Sequence, residues 1–331
     1  MSDVDGPRVI VAGAGPAGLE GALALGSLLP GARVCLIAPD GDFVHRPYAF
    51  SEAFGLPPPE ALSLGVLAEA AGFELKRGAV TKVAVQSGRA FLASGEELSY
   101  DALLVATGAR RVEALADAVT FWGTDGDPAL AGVLDRIRGG HGEVSFAVPP
   151  SVSWTLPLYE LALATATWCR RASVSAGLRV LTGEARPVAV LGSSASARMS
   201  SALREAGIGL RLVPPWEPIA AAEPVVSLPR LLGRGLEGVP LDRDRFLRVD
   251  PSGRVIGAAG VYAAGDVTSN PVKLGGLSAQ QADAAASAIA ADLGSTASPE
   301  RFDPAPAMRW WPAARVLGRH LSVALAHAGR L

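Results

Sequence analysis

Short unbroken apolar runs alternate with stretches of helical periodicity along most of this chain. The first run covers residues 9–12 and is followed at once by a helical pattern over 19–29 and a second apolar run over 33–37. The same alternation returns later, with a strand over 143–148, a helix over 156–172, a strand over 178–181, a helix over 195–206 and a strand over 209–213. Strands that alternate with crossover helices predict parallel sheets and an α/β fold. No repeat of solenoid type and no low-complexity linker interrupts the pattern.

The turn between the first run and the first helix reads Gly13-Ala14-Gly15-Pro16-Ala17-Gly18. In a G-x-G-x-x-G turn the first glycine makes the tight bend and the second lets a pyrophosphate approach the backbone. The third lets helix and strand pack closely, and the helix N-terminus supplies amide donors. Placed between a strand and a helix, the phrase predicts a dinucleotide site. The usual ribose reader is an acidic residue closing the second strand, but that position is Ala38 here. Asp40, a little beyond, is readable either as a ribose contact or as a solvated turn aspartate, so the turn alone leaves NAD and FAD both open.

Two later phrases narrow the choice. Residues 100–110 form a buried-type strand ending in Ala106-Thr107-Gly108, and residues 261–266 form another ending in Gly265-Asp266. Both place small and polar groups at a strand's carboxyl end, where ligands sit in open α/β sheets. Asp266 beside Gly265 suits a carboxylate accepting from a sugar or ribityl hydroxyl.

With these three phrases in this order, the chain resembles the FAD-dependent pyridine nucleotide-disulfide oxidoreductase superfamily. Within it the resemblance is to the branch of sulfide:quinone oxidoreductases, flavocytochrome sulfide dehydrogenases and type II NADH dehydrogenases. Phe43-Val44-His45-Arg46-Pro47 and the stretch from Lys273-Leu274-Gly275-Gly276-Leu277-Ser278 to Ala282 belong to the same likeness. It implies two Rossmann-like three-layer domains of the glutathione-reductase type. A discontinuous FAD domain (1–110 and 240–300) would enclose an inserted NAD-binding-like domain (111–239), and a short helical segment (301–331) would follow. It further implies that Gly13, Gly15, Pro16, Ala17 and Gly18 cradle the FAD pyrophosphate. Arg46, Pro47, Thr107 and Gly108 would lie along the cofactor, Asp266 on the ribityl chain and the backbone of Val80 at the adenine. The helix starting near Gly276-Leu277 would face the flavin ring, with Lys273 the nearest cation and Ser278 and Gln281 at capping-box spacing.

Composition bounds the rest. At 331 residues, with net charge −2, 19% charged and 49% hydrophobic residues, the chain predicts about two domains and neither disorder nor nucleic-acid binding. The acidic start, Met1-Ser2-Asp3-Val4-Asp5, has no apolar h-region, and a cytoplasmic location is the expectation. The two cysteines form no C-x-x-C. Cys35 sits within a strand and reads as a small buried thiol; Cys169 lies late in a helix, where the neighbouring Arg170 and Arg171 favour a lowered pKa but an inert helix cysteine is the preferred reading. The four histidines show no metal spacing.

The inserted region departs from the resemblance. Its first strand runs into Pro149-Pro150-Ser151-Val152-Ser153-Trp154 rather than a glycine turn, which argues against NAD(P)H in the usual mode. Gly192-Ser193-Ser194 is read as a helix start with serine caps. Leu274 replaces the relatives' glutamine, and no cysteine falls where sulfide oxidation would need one. The tail from Trp310-Trp311-Pro312 has an amphipathic pattern, with Leu317, Leu321 and Leu325 on one face. A helix closing over the flavin domain is favoured there over peripheral membrane contact. The expectation is an FAD-dependent oxidoreductase without a disulfide mechanism, passing hydride or electrons between a small-molecule donor and acceptor, the latter a candidate quinone. The alternatives are an NAD(P)H-dependent flavin reductase serving a small electron carrier and a non-catalytic flavoprotein scaffold or sensor. A homo-oligomer is left open.

Overall fold

The run Val9–Ala12 is 1% exposed or less at every position, so it is covered on both faces, as the unbroken apolar pattern requires. In the computed structural model, which describes residues 6–44, 54–55, 61–123, 128–140, 142–149, 151–213, 224–296 and 298–303, this run is the middle strand of a five-stranded sheet. The order is Val261–Ala263, Ala102–Val105, Arg8–Ala12, Arg33–Ala38 and Glu74–Arg77, parallel throughout. Ile10 stands opposite Cys35 on one side and Leu103 on the other.

Side chains alternate between the two faces, so each face has its own core. Val9, Val11, Leu36 and Leu104 pack with Leu19 and Leu25 of the Pro16–Leu28 helix and with Ala282, Ala285 and Ile289 of the Gly275–Asp292 helix. Ile10, Ile37, Leu103 and Val105 pack with Val80, Val83, Ala90 and Leu92 of a three-stranded antiparallel sheet, Val80–Ala84, Arg89–Leu92 and Glu97–Ser99. The result is three layers. Small residues set the spacing: a Cβ on Gly21 would come within 2.4 Å of Leu104 Cδ2. The last residue of the second helix, Asp292, accepts from Arg254 Nε at 2.9 Å and Nη2 at 2.7 Å, and from the Tyr262 hydroxyl. These bonds, led by the guanidinium, hold the Asp292 carboxyl below its usual range.

These elements form one compact unit, made from the described residues up to Phe43, Ala61–Arg110 and the described residues from Leu232 onward. A second unit holds Arg111–Leu231 together with the described residues between Phe43 and Ala61. Its parallel sheet runs Val119–Thr120, Val225–Ser227, Glu143–Val148, Gly177–Thr182 and Gly209–Leu212. Helices Pro128–Arg138, Leu156–Ala172 and Ser193–Glu205 connect these strands. Phe146 and Tyr159 are its largest fully buried side chains.

One local expectation fails in this second unit. The Ser193–Glu205 helix is opened by Gly192 at φ 87°, with no side-chain cap. Ser193 and Ser194 lie inside the first turn, because only glycine accepts that left-handed entry without strain. Among the described residues no helix is long and apolar enough to cross a membrane.

Candidate cofactor site

The glycine turn leaves the carboxyl end of the central strand of the first unit. Gly13 has φ 109° and donates its N–H to Ile37 O at 2.8 Å; a Cβ there would lie 2.4 Å from Ala106 O. A Cβ on Gly18 would lie 1.8 Å from Gly13 O. These two glycines are demanded by the chain's own packing. Gly15 is different. It has φ −74° and ψ −176°, which any residue adopts, and a Cβ there meets nothing within 4 Å. The space in front of Gly15 is open, and it lies at the start of a helix whose first turn has no side-chain cap. Pro16 takes the first helical position, where a missing N–H is harmless, and Ala17 and Gly18 carry amides of the kind left without intrahelical partners.

The two neighbouring strand ends turn toward the same edge. After Ala102–Val105, Thr107 donates its hydroxyl to Arg234 O at 2.7 Å, and Gly108 bends at φ 73° with nothing near its Cβ position. After Val261–Ala263, Gly265 bends at φ 81° into a short turn that holds Asp266. A Cβ on Gly265 would lie 3.0 Å from Ala17 Cβ and 3.5 Å from Ser278 Cβ. That single position therefore touches the first turns of both long helices. The Gly275–Asp292 helix also opens without a side-chain cap, from Leu274 in extended geometry, and Gly276 and Leu277 are buried in its first turn. The capping box expected of Ser278 and Gln281 is absent because the helix begins earlier. Gln281 Oε1 instead accepts the Gly265 N–H at 2.7 Å, and the Thr268 hydroxyl joins it at 3.4 Å. Gln281 is a site-building residue that the sequence reading assigned to the wrong partner.

Lys273 approaches the same loop. Its Nζ donates to Thr268 O at 2.6 Å and Asp266 O at 3.1 Å, and lies 4.3 Å from the centre of the Phe246 ring. Burial holds its pKa down at about 8, against a smaller opposing pull from Asp266 and Asp242. Phe246 and Arg234 carry no motif signal, and both were missed. Asp40 is exposed in the bend after the second strand. Val80 opens the antiparallel sheet opposite Leu92 and is 6% exposed. Arg46 and Pro47, like the tail from Trp310, lie outside the described residues.

Both thiols are buried and neither is activated. Cys35 is pushed up to about 11 by burial and the neighbouring Glu74. Cys169 is raised by burial, which outweighs the opposing backbone hydrogen bond and Arg170, in keeping with the inert reading. Cys169→Ser is expected to leave turnover within about twofold of wild type, and steady-state rates with any active donor will check it.

The uncapped helix starts and the opening at Gly15 suit a long anionic ligand along this edge. Comparison with known proteins agrees in kind. Residues 7–127 match the family model described as pyridine nucleotide-disulphide oxidoreductase. Among solved structures the chain is similar to the sulfide:quinone oxidoreductase of the hyperthermophilic bacterium Aquifex aeolicus (TM-score 0.76, 19% identity, covering 87% of this chain and 77% of that one). It is also similar to a ferredoxin reductase from Rhodopseudomonas palustris (TM-score 0.62, 18% identity, 90% and 78% covered). A third likeness is to an NAD-dependent persulfide reductase from A. fulgidus (TM-score 0.63, 16% identity, 88% and 60% covered). No curated protein matches the sequence. The match over residues 7–127 to the pyridine nucleotide-disulphide oxidoreductase model contains the glycine turn and the first of the two later strand ends, and the solved structures share the fold of the chain.

Proposed function

We propose that the first unit binds FAD and that the protein is an FAD-dependent oxidoreductase working without a redox disulfide. The observation that carries this reading is the meeting of two uncapped helix starts and the open Gly15 position at one sheet edge. Gly13, Gly15, Pro16, Ala17 and Gly18 would hold the pyrophosphate, and Asp266 the ribityl hydroxyls. Thr107 and Gly108 would line the cofactor, with Val80 at the adenine end, and Gly276 and Leu277 would stand at the flavin ring. FAD, when bound, supplies hydride or single-electron transfer between a donor and an acceptor.

The chain's own part is to bind, orient and tune. The N-terminus of the Gly275–Asp292 helix favours negative charge in front of it by up to ~2 kcal/mol at a favourable site. For a two-electron couple that is roughly 40 mV, enough to adjust a potential but too little to create reactivity. Lys273 adds a cation behind the Asp266–Thr268 loop. Cys35 and Cys169 take no part, since each thiol is buried and protonated at neutral pH. The similar Aquifex protein is a sulfide:quinone oxidoreductase, which makes a quinone the first acceptor class to try.

An anaerobic screen of donors and acceptors, followed by the flavin spectrum of freshly purified protein, tests the whole reading. A bound yellow chromophore that a small-molecule donor bleaches and an acceptor restores is the expected result. Protein that is colourless and stays so when offered FAD would sink it.

A further inference from the structure

The second unit has the strand order of a mononucleotide-binding half. Gly209–Leu212, Gly177–Thr182 and Glu143–Val148 are third, second and first, and Val225–Ser227 follows on the far side of the first strand. In such sheets a dinucleotide lies beyond the carboxyl end of the first strand. Its phosphates meet the amides of the next helix, and its ribose meets a carboxylate just past the second strand.

Here the chain itself leaves little of this to a ligand. Pro149, Pro150 and Pro157 have no N–H to give. The Val152 N–H donates to Pro149 O at 3.0 Å and the Leu158 N–H to Thr155 O at 3.1 Å. Trp154, only 8% exposed, stands in the same connection.

The carboxylate past the second strand is Glu184, and it is saturated. Its Oε2 accepts from the Tyr159 hydroxyl at 2.7 Å and the Thr182 hydroxyl at 3.3 Å. Its Oε1 accepts from the Ala189 N–H at 3.0 Å and the Thr155 hydroxyl at 3.2 Å. Four donors fill the four lone-pair sites of a carboxylate. Thr155 immediately precedes the Leu156–Ala172 helix but gives it no side-chain cap, its hydroxyl going to Glu184 instead, and Tyr159 lies on the opening turn, so the carboxylate sits against a helix start, where a ligand's phosphate would go. Val188 next to Ala189 is buried and β-branched yet held at φ 47°, a rare conformation that persists only when its surroundings enforce it. That turn delivers the Ala189 amide to the carboxylate.

We propose that Glu184 is a built-in anion that fills the nucleotide place of the second unit, so that pyridine nucleotides do not reduce this protein from there. The inference concerns the second unit alone and stands apart from the flavin reading. Electrons reach the protein from a donor of another class.

Calorimetric titration of the full chain with ADP-ribose, NADH and NADPH, in excess FAD so that the first unit is filled, provides the direct test. No saturable heat at millimolar nucleotide is expected, and saturable binding of any of the three overturns the proposal. Glu184→Ala should lower the melting midpoint by about 5 °C. Formate, small enough to enter the vacated place, should restore part of that loss while leaving wild type unmoved. Glu184→Gln keeps the shape without the charge and guards against an alanine variant that does not fold; it too should melt earlier. Unchanged midpoints, or a folded Glu184→Ala protein indifferent to formate, would count decisively against a built-in anion.

Discussion

Gly15→Val should give folded protein that no longer retains flavin. The backbone at Gly15 is in extended geometry, so a β-branched residue is tolerated there, and its Cβ meets no protein atom within 4 Å. The added methyl groups enter the open space before the helix start, where a pyrophosphate would lie. Two displaced hydrogen bonds to a charged group, at roughly 1.5–3 kcal/mol each, predict FAD binding weaker by about 10²–10⁴-fold. Gly18→Ala separates binding from folding, because its Cβ would be 1.8 Å from Gly13 O. That variant should lose stability first and flavin as a consequence. Visible absorbance per protein and the melting curve of the flavin-free form distinguish the two. A Gly15→Val protein that stays fully yellow would remove the turn from the cofactor site.

The contrast between these glycines shows what can be seen in a one-dimensional chain. The alternation of apolar runs and helical periods is a local signal, and it marked strands such as Glu143–Val148 to the residue because a sheet covered on both faces asks for a nearly continuous apolar run, broken here only by Ser145 after the exposed Glu143. The glycine turn and the two strand-end phrases were likewise visible, since each is a short sequence whose backbone needs are local. Which glycine is needed by the fold and which borders open space was not visible, because it depends on Ala106 and Gly13 carbonyls placed by tertiary packing. Gln281 was misassigned for the same reason: its partner, Gly265, is sixteen residues away and reached only once helix and sheet have packed. Glu184 was overlooked although a carboxylate past a second strand was sought in the first unit, at Asp40. Its four donors come from three separate segments of the chain.

Lys273→Met is expected to remove a contribution to stability that grows as pH rises above 8. The lysine is drawn from 10.5 down to about 8, chiefly because burial penalises the charged amine, with the carboxylates of Asp266 and Asp242 opposing. Between those two values the unfolded chain binds more protons at this position than the folded one, so stability climbs with pH. The contribution is complete above 10.5 and is lost as pH falls through 8. A displacement of that size is worth roughly 3 kcal/mol. Cys35, Tyr100, Tyr159 and Tyr262 are all raised, first by burial, and their contributions fall with pH in the alkaline range. The observable is therefore the wild-type stability minus that of Lys273→Met, from denaturant midpoints at pH 7 to 10. It should grow more favourable to wild type as pH rises. A flat difference would mean that the amine is solvated in the folded protein. The same substitution should lower the midpoint potential of bound flavin at pH 7, by removing a positive charge held behind the Asp266–Thr268 loop. Toward pH 9 that gap should close, as wild type gives up the proton too. A potential that ignores both the substitution and the pH would leave Lys273 as a brace for two carbonyls, with no electrostatic part in tuning the cofactor.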